Sequence, residues 1–183
     1  MNNEWVMAVW EHYSILAAAI ALAAIVVITK VGKWAVFKVP ALSETREQNR
    51  AEDKIKWKKD KYPPMVRGTQ KMGLYCNVTF YALVLPFCLT MQAQPVWKVL
   101  LDGVVILRFY DFFYYLSHRF WFHGNGKMRQ IHAVHHQARN PTYLDAHYVH
   151  PTETFIGLAL YIGSIAVLAA VMGKFHVATV VIT

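Results

Sequence analysis

Residues 111–123 read D-F-F-Y-Y-L-S-H-R-F-W-F-H, residues 132–137 read H-A-V-H-H-Q, and residues 147–153 read H-Y-V-H-P-T-E. These three segments hold seven of the nine histidines of the chain, all of them between His118 and His150. Packing alone does not require so many imidazoles in so short a stretch. Because neutral imidazole is the commonest protein ligand for transition metals, the composition predicts a metal site. A pH-sensing or purely structural histidine cluster is the alternative.

The spacing of the histidines indicates how they meet. His132, His135 and His136 stand at i, i+3 and i+4, which places them on one face of a helix. His118 and His123 are five positions apart, or ~140° on an ideal α-helix, so they converge only where the helix ends or bulges. The glycines at 124 and 126 favour an ending there. We therefore predict one cluster of five ligands: His118, His123, His132, His135 and His136.

Four further residues are candidate ligands or supports of ligands: Asp111, His147, His150 and Glu153. A ligating histidine commonly donates its second N–H to a carboxylate, and Asp111 lies on the helical face of His118. Asp111 is equally suited to pair with Arg108. Glu153 is placed to orient the ring of either His147 or His150.

Three long uncharged runs surround this region, and 56% of the chain is hydrophobic. The runs cover residues 13–29, 72–97 and 154–173, and a membrane span needs ~20 mainly apolar residues. We predict an all-α integral membrane protein of one domain, residues 1–183. Its expected parts are an external segment Met1–His12, about four spans (13–37, 72–93, 96–117 and 154–173), a basic loop (38–71) and the histidine-box region (111–153).

The third predicted span carries charges, among them Lys98 and Asp102, which can pair at i,i+4 on one helix. Ionisable residues in a span usually face the interior of the helix bundle.

The net charge of +8 has a topological explanation. Ten of the 19 Lys and Arg residues lie in the loop 38–71, and positive loops stay on the cytoplasmic side of a membrane. This interpretation excludes nucleic acid as the expected partner and puts the histidine boxes on the cytoplasmic side, in a bacterial inner membrane or the endoplasmic reticulum. Contact of the basic loop with anionic lipid headgroups is a further expectation.

The motifs D-x-x-Y-Y-x-x-H-R, H-x-x-H-H and H-P-T-E together resemble the fatty acid hydroxylase / sterol desaturase superfamily. The resemblance covers roughly residues 102–158. It implies a membrane-bound di-iron centre held by histidines, and oxygen-dependent hydroxylation or desaturation of a sterol, fatty acyl or sphingolipid C–H bond. It also implies a membrane lipid substrate, O2, and an external electron donor, either a b-type cytochrome or a ferredoxin-like protein.

The sequence departs from the family pattern in one respect. Family members carry a third histidine box with H-x-x-H-H after the last spans, whereas this sequence stops at Thr183 before such a box. We expect that the C-terminal part of a longer chain is missing, and that the 183-residue form binds metal weakly and lacks turnover. A degenerate family member is the alternative. A membrane metal-binding or transport protein and a non-catalytic scaffold with a histidine pH switch are the competing functions.

Overall fold

The computed structural model describes residues 12–183, and most of them are helical. All but the last residue of the predicted external segment Met1–His12 lies outside the described residues. The α-helices are α1 (Ile15–Val36), α2 (Pro40–Lys56), α3 (Tyr62–Thr79), α4 (Leu85–Cys88), α5 (Val96–Leu116), α6 (Lys127–His132), α7 (Pro151–Met172) and α8 (Val177–Ile182). Two π-helical segments, Phe80–Val84 and Ser117–Phe122, and two 3-10 segments, His135–Gln137 and Tyr143–His147, join some of them. The strands are β1 (Leu89–Thr90) and β2 (Phe175–His176).

The chain divides into two compact units. The first comprises the chain up to Val27, Asn77–Phe112 and Leu160–Thr183, and the second comprises Ile28–Cys76 and Phe113–Ala159. The histidine boxes all belong to the second unit. The helices α1, α3, α5 and α7 each contribute residues to both units.

Two helices, α1 and α7, are long and apolar enough to cross a membrane, and only 17% of each apolar stretch is buried inside the protein. Both coincide with predicted spans. The other two predicted spans are also helical over most of their length, since the chain is helical from Tyr62 to Cys88 and from Val96 to Leu116. The charges of α5 make it less apolar than α1 and α7. That these two segments cross the membrane, and on which side the loops lie, stays a prediction.

The first unit has an apolar core in which small and large side chains alternate. Ala17, Ala18 and Ala21 of α1 are buried there together with Ile106 of α5 and Ile165 of α7. Small side chains let helices approach closely where lipid surrounds them, which is the scaffold role expected of an alanine-rich helix.

Pro86 explains the first π-helical segment. Proline has no N–H and cannot donate to the carbonyl four residues earlier, that of Ala82. The Tyr13 hydroxyl donates to this carbonyl at 2.7 Å instead. The helix winds locally to i→i+5 hydrogen bonds, with the Leu85 N–H donating to Phe80 O. The structure thus has a π-helical segment directly before this proline.

A short parallel pairing of β1 with β2 is the one feature of the described residues that departs from an all-helical fold. Leu89 is opposite Phe175, and Thr90 is opposite His176. The Nδ1 atom of His176 accepts the Ala178 N–H at 3.1 Å and so caps α8. His176 therefore has a structural role at the start of α8.

The predicted pair within α5 is confirmed. The Lys98 ammonium lies 2.5 Å from the Asp102 carboxylate, whose side chain is buried. Burial of a carboxylate is costly without a partner, so the i,i+4 lysine is needed to keep Asp102 in the core.

Candidate metal centre

A π-helical segment brings the first two histidines together. Helix α5 continues into Ser117–Phe122, where the backbone N–H of His123 donates to the carbonyl of His118 at 3.0 Å. This i→i+5 bond aligns residues five apart, which an α-helix would separate. The two Nε2 atoms lie 3.1 Å apart. The sequence left a helix end or a bulge open and favoured an end, whereas the structure has a π-helical bulge between the two residues. Such π-bulges are common at functional sites.

Gly124 allows the chain to leave this segment. A side chain at position 124 would put its Cβ 2.1 Å from the carbonyl oxygen of Phe120, far inside van der Waals contact. Only glycine fits such a close backbone approach. The next helix, α6, starts at Lys127.

The H-x-x-H-H box spans two short helical segments. Helix α6 ends at His132, and a 3-10 turn holds His135 and His136. The predicted single helix is thus interrupted, but the three rings still share one side. The Nε2 atoms of His132 and His136 lie 3.0 Å apart.

The five predicted histidines form one cluster around His132. Ring centroids of His118, His123, His135 and His136 lie 4.5–4.8 Å from that of His132. Two groups have donor atoms close enough to hold an ion, His118–His123–His132 and His132–His135–His136. His132 belongs to both groups and is almost fully buried, with its ring stacked on Phe122 at 5.2 Å.

Glu153 lies behind the H-x-x-H-H box. The Nδ1–H of His132 donates to Glu153 Oε1 at 2.8 Å, and Nδ1 of His135 lies 3.3 Å from the same oxygen. A carboxylate on Nδ1 directs Nε2 towards the cluster and makes the ring a better ligand. The sequence associated Glu153 with His147 or His150, but its hydrogen bond is with His132, 21 residues away.

Burial and neighbouring imidazoles favour the neutral form of three histidines of the cluster. Burial is the main cause that lowers the pKa of His118 and of His132, and neighbouring imidazoles lower both further. The pKa of His135 is also lowered by burial, which outweighs the opposite effect of Glu153. Neutral imidazole is the form that binds metals, so the cluster is prepared for a cation.

The donor set fits a metal ion. Two nitrogens that each lie ~2.1 Å from one ion are ~3.0 Å apart when the angle at the ion is ~90°. The observed Nε2 separations within the pairs His118–His123 and His132–His136 agree with that value. Within the described residues, Nδ1 of His118 and Oε2 of Glu153 are buried without a hydrogen-bond partner. The described protein groups therefore do not supply a hydrogen-bond partner for every buried polar atom of this site.

The basic loop of the prediction contains a structural element that local sequence did not reveal. Lys56, at the end of α2, is buried and lies 2.5 Å from Oδ2 of Asp145. The Tyr62 hydroxyl donates to the other oxygen of Asp145 at 2.8 Å. The backbone N–H of Thr142 also donates to Asp145, and the side-chain hydroxyl of Thr142 donates to Asp53. We call these five residues the clamp: Asp53, Lys56, Tyr62, Thr142 and Asp145.

The clamp holds the segment between the histidine box and α7. Burial raises the pKa of Asp145, but the hydrogen bonds from Lys56, Thr142 and Tyr62 outweigh it, so the pKa lies below its ordinary value. The carboxylate is therefore ionised and paired. Stacking of Tyr62 on Tyr148 and a hydrogen bond from Thr69 to the Val149 carbonyl add to this attachment.

The remaining candidates lie outside the two histidine groups. His150 Nδ1 accepts the Thr152 N–H at 3.2 Å, next to the start of α7. His147 ends a 3-10 segment and is partly buried. Asp111 is exposed and belongs to the first unit. Roles for these three as ligands or supports stay predictions.

The comparison with protein families agrees with the site. Residues 103–183 match the family described as fatty acid hydroxylase. The resemblance of the motifs to the fatty acid hydroxylase / sterol desaturase superfamily is thereby confirmed over this part of the chain.

A curated relative carries a related name. Methylsterol monooxygenase 1 of Gallus gallus is 31% identical over 104 residues, which make up 55% of this chain and 31% of the relative. The chain thus aligns with about a third of that protein. No solved structure matches the chain.

Proposed function

We propose that the chain forms the metal-binding part of an oxygen-dependent lipid hydroxylase or desaturase of membranes. The observation that carries the proposal is the convergence of five imidazoles on the buried His132, with Glu153 behind it. The family match and the sterol monooxygenase relative support a lipid substrate of sterol, fatty acyl or sphingolipid type.

The residues that would hold iron are the five histidines. Each offers one lone pair, and Nδ1 of His132 is bonded to Glu153, so its Nε2 serves one ion only. The two groups share this atom, and therefore the described residues hold one ion at a time. The two irons that the family resemblance implies need further donors. When bound, iron supplies the redox chemistry with oxygen that imidazole side chains lack.

The protein groups have separate tasks in this proposal. Glu153 accepts the Nδ1–H of His132 and fixes which nitrogen faces the ion. The π-helical segment holds His118 beside His123. In hydroxylation, one C–H bond and one O–O bond break while C–O and O–H bonds form, with one oxygen atom leaving as water. That balance takes two electrons and two protons, and we assign the electrons to a separate b-type cytochrome or ferredoxin-like donor.

The test measures iron binding by the purified chain in detergent. We expect anaerobic titration with ferrous iron to reach about one ion per chain, because each ion needs Nε2 of His132. His132→Ala should abolish binding, while the control His12→Ala should leave it unchanged. Two tightly bound ions, or binding that survives His132→Ala, would contradict the assignment.

Oxidation is tested in lipid vesicles with the protein encoded by the complete natural reading frame. Heavy-isotope oxygen gas and a chemical reductant are supplied, and extracted lipids are analysed by mass spectrometry. Incorporation of one labelled oxygen atom, or formation of a double bond, supports the proposal. Preference for zinc with no lipid oxidation would favour metal transport instead.

A further inference from the structure

A cavity of about 490 Å³ lies apart from the histidine cluster, within the second unit. Its walls come from the last turn of α1, from α2 and from Tyr143. Lys33, Arg46 and Arg50 provide positive charge, and Val36, Phe37 and Leu42 provide an apolar wall. Neither the proposed iron chemistry nor the clamp explains a cavity that combines three cations with an apolar face.

The charges in the cavity are available to an anion. Arg46 is held over the Phe37 ring, 4.4 Å from its centroid, and it belongs to none of the ion pairs among residues 12–183. Arg50 pairs with Glu47 at 2.7 Å, but both side chains are more than half exposed, and exposed pairs are weak. The lining carboxylate, Asp53, accepts the Thr142 hydroxyl at 2.6 Å.

The end of α1 indicates the level of the cavity relative to the bilayer. Helix α1 presents exposed Val27, Ile28 and Val31, as a lipid-facing helix does. Directly after them Trp34 is exposed, with the Lys38 ammonium 3.7 Å from its ring centroid. Trp and Lys at the end of an apolar helix mark the headgroup level. Lys33 and Phe37 of the cavity lie in this same turn.

We propose that this cavity binds the phosphate headgroup of an anionic membrane phospholipid, with its acyl chains along the exposed face of α1. Arg46 and Arg50 bind the phosphate oxygens, for which guanidinium geometry is suited. Lys33 adds a third positive charge. The apolar wall packs against the part of the acyl chains that lies next to the glycerol. The proposal does not depend on iron binding.

The experiment compares how strongly the protein binds two phospholipids. The protein is placed in phosphatidylcholine vesicles that contain a small share of either spin-labelled phosphatidylglycerol or spin-labelled phosphatidylcholine. Electron spin resonance gives the fraction of label immobilised by the protein. We expect a clear preference for phosphatidylglycerol. Arg46→Gln with Arg50→Gln should reduce this preference by roughly fivefold for each charge removed.

The matched control is Lys54→Gln with Lys58→Gln, which removes the same charge from the exposed surface of α2 and the residues after it. It should reduce the preference much less, because Lys54 and Lys58 do not line the cavity, so that their removal weakens only the nonspecific attraction that the arginine variant loses as well. Equal losses in the two variants, or no loss in the arginine variant, would overturn the proposal. So would displacement of the labelled lipid by inorganic phosphate at matched ionic strength, which would reveal a site for free anions. Circular dichroism of both variants confirms that the helices are retained.

Discussion

At the scale of single residues, the site depends on how each imidazole is oriented. His132 has two ring nitrogens, and Glu153 takes one of them, so the other is directed at the neighbouring histidines. Without this carboxylate the proton could occupy either nitrogen. The orientation is set from outside the cluster, by a residue at the start of α7.

Glu153→Gln tests this role. The amide keeps the shape of the side chain but is a weaker acceptor for the Nδ1–H of His132 and carries no negative charge. We expect metal affinity to fall about 10–100-fold, the usual effect of removing a support of a ligand. Competition with a chelator measures it. The control Glu44→Gln, at an exposed position, should leave the affinity unchanged.

A merely structural role for Glu153 predicts a different result. In that case unfolding would occur at a lower denaturant concentration while the folded fraction kept its full affinity. Asp111, suggested by the sequence as a support of His118, can be compared directly. If Asp111→Asn lowered metal affinity while Glu153→Gln did not, the carboxylate that supports the ligands would be Asp111 and not Glu153.

At the scale of elements, the π-helical segment Ser117–Phe122 decides whether His118 and His123 meet. Its i→i+5 bond is followed at once by Gly124, whose close contact with the Phe120 carbonyl admits no side chain. The geometry of two ligands therefore depends on a residue that has no functional group.

We predict that Gly124→Ala displaces the end of this segment, because the new Cβ would lie 2.1 Å from Phe120 O. The Nε2 atoms of His118 and His123 then separate, and metal affinity falls about 10-fold or more, in the range seen when ligand geometry is disturbed. Metal titration checks this. Gly73→Ala is the control, since its Cβ would meet no atom within 4 Å and lies inside helix α3. It should stabilise the helix by about 0.5–1 kcal/mol. Equal affinities in the two variants would contradict the prediction.

At the scale of the whole molecule, the clamp connects parts of the chain that are far apart in sequence. Lys56 and Asp145 are 89 residues apart, yet both are buried in one ion pair. Water is excluded from the pair, so each charge depends on the other. The segment between the histidine box and α7 is thereby attached to α2.

We predict that Lys56→Met destabilises the protein by about 3–5 kcal/mol, because it leaves Asp145 buried without a counter-charge. Adding Asp145→Asn should recover much of this loss, since the double variant buries no unpaired charge. Unfolding by denaturant in detergent micelles measures both. Lys58→Met, an exposed lysine with the same change in charge, should stay within about 0.5 kcal/mol of the natural chain. A loss in Lys56→Met no larger than in this control would contradict the clamp.

Local sequence determined much of this protein. The length of its apolar runs predicted the helices α1 and α7, and the i,i+4 spacing predicted the Lys98–Asp102 pair. The histidine spacing and its motifs predicted the family. It also predicted that His118 and His123 meet only where the helix ends or bulges, and the structure has the bulge. These features depend on neighbours within one or two helical turns, and periodicity expresses such relations directly.

Tertiary structure decided the rest. Only the fold brought Glu153 to His132, Lys56 to Asp145, and Arg46 to a cavity that includes Tyr143. The strand pairing of Leu89 with Phe175 is of the same kind. Each of these contacts joins residues that are far apart in the sequence, so the residue periodicity of a single helix cannot predict it. From sequence alone, a lysine in a basic loop such as Lys56 is expected to be solvated. Its burial and its pairing with Asp145 are properties of the folded chain, so only the tertiary structure shows them.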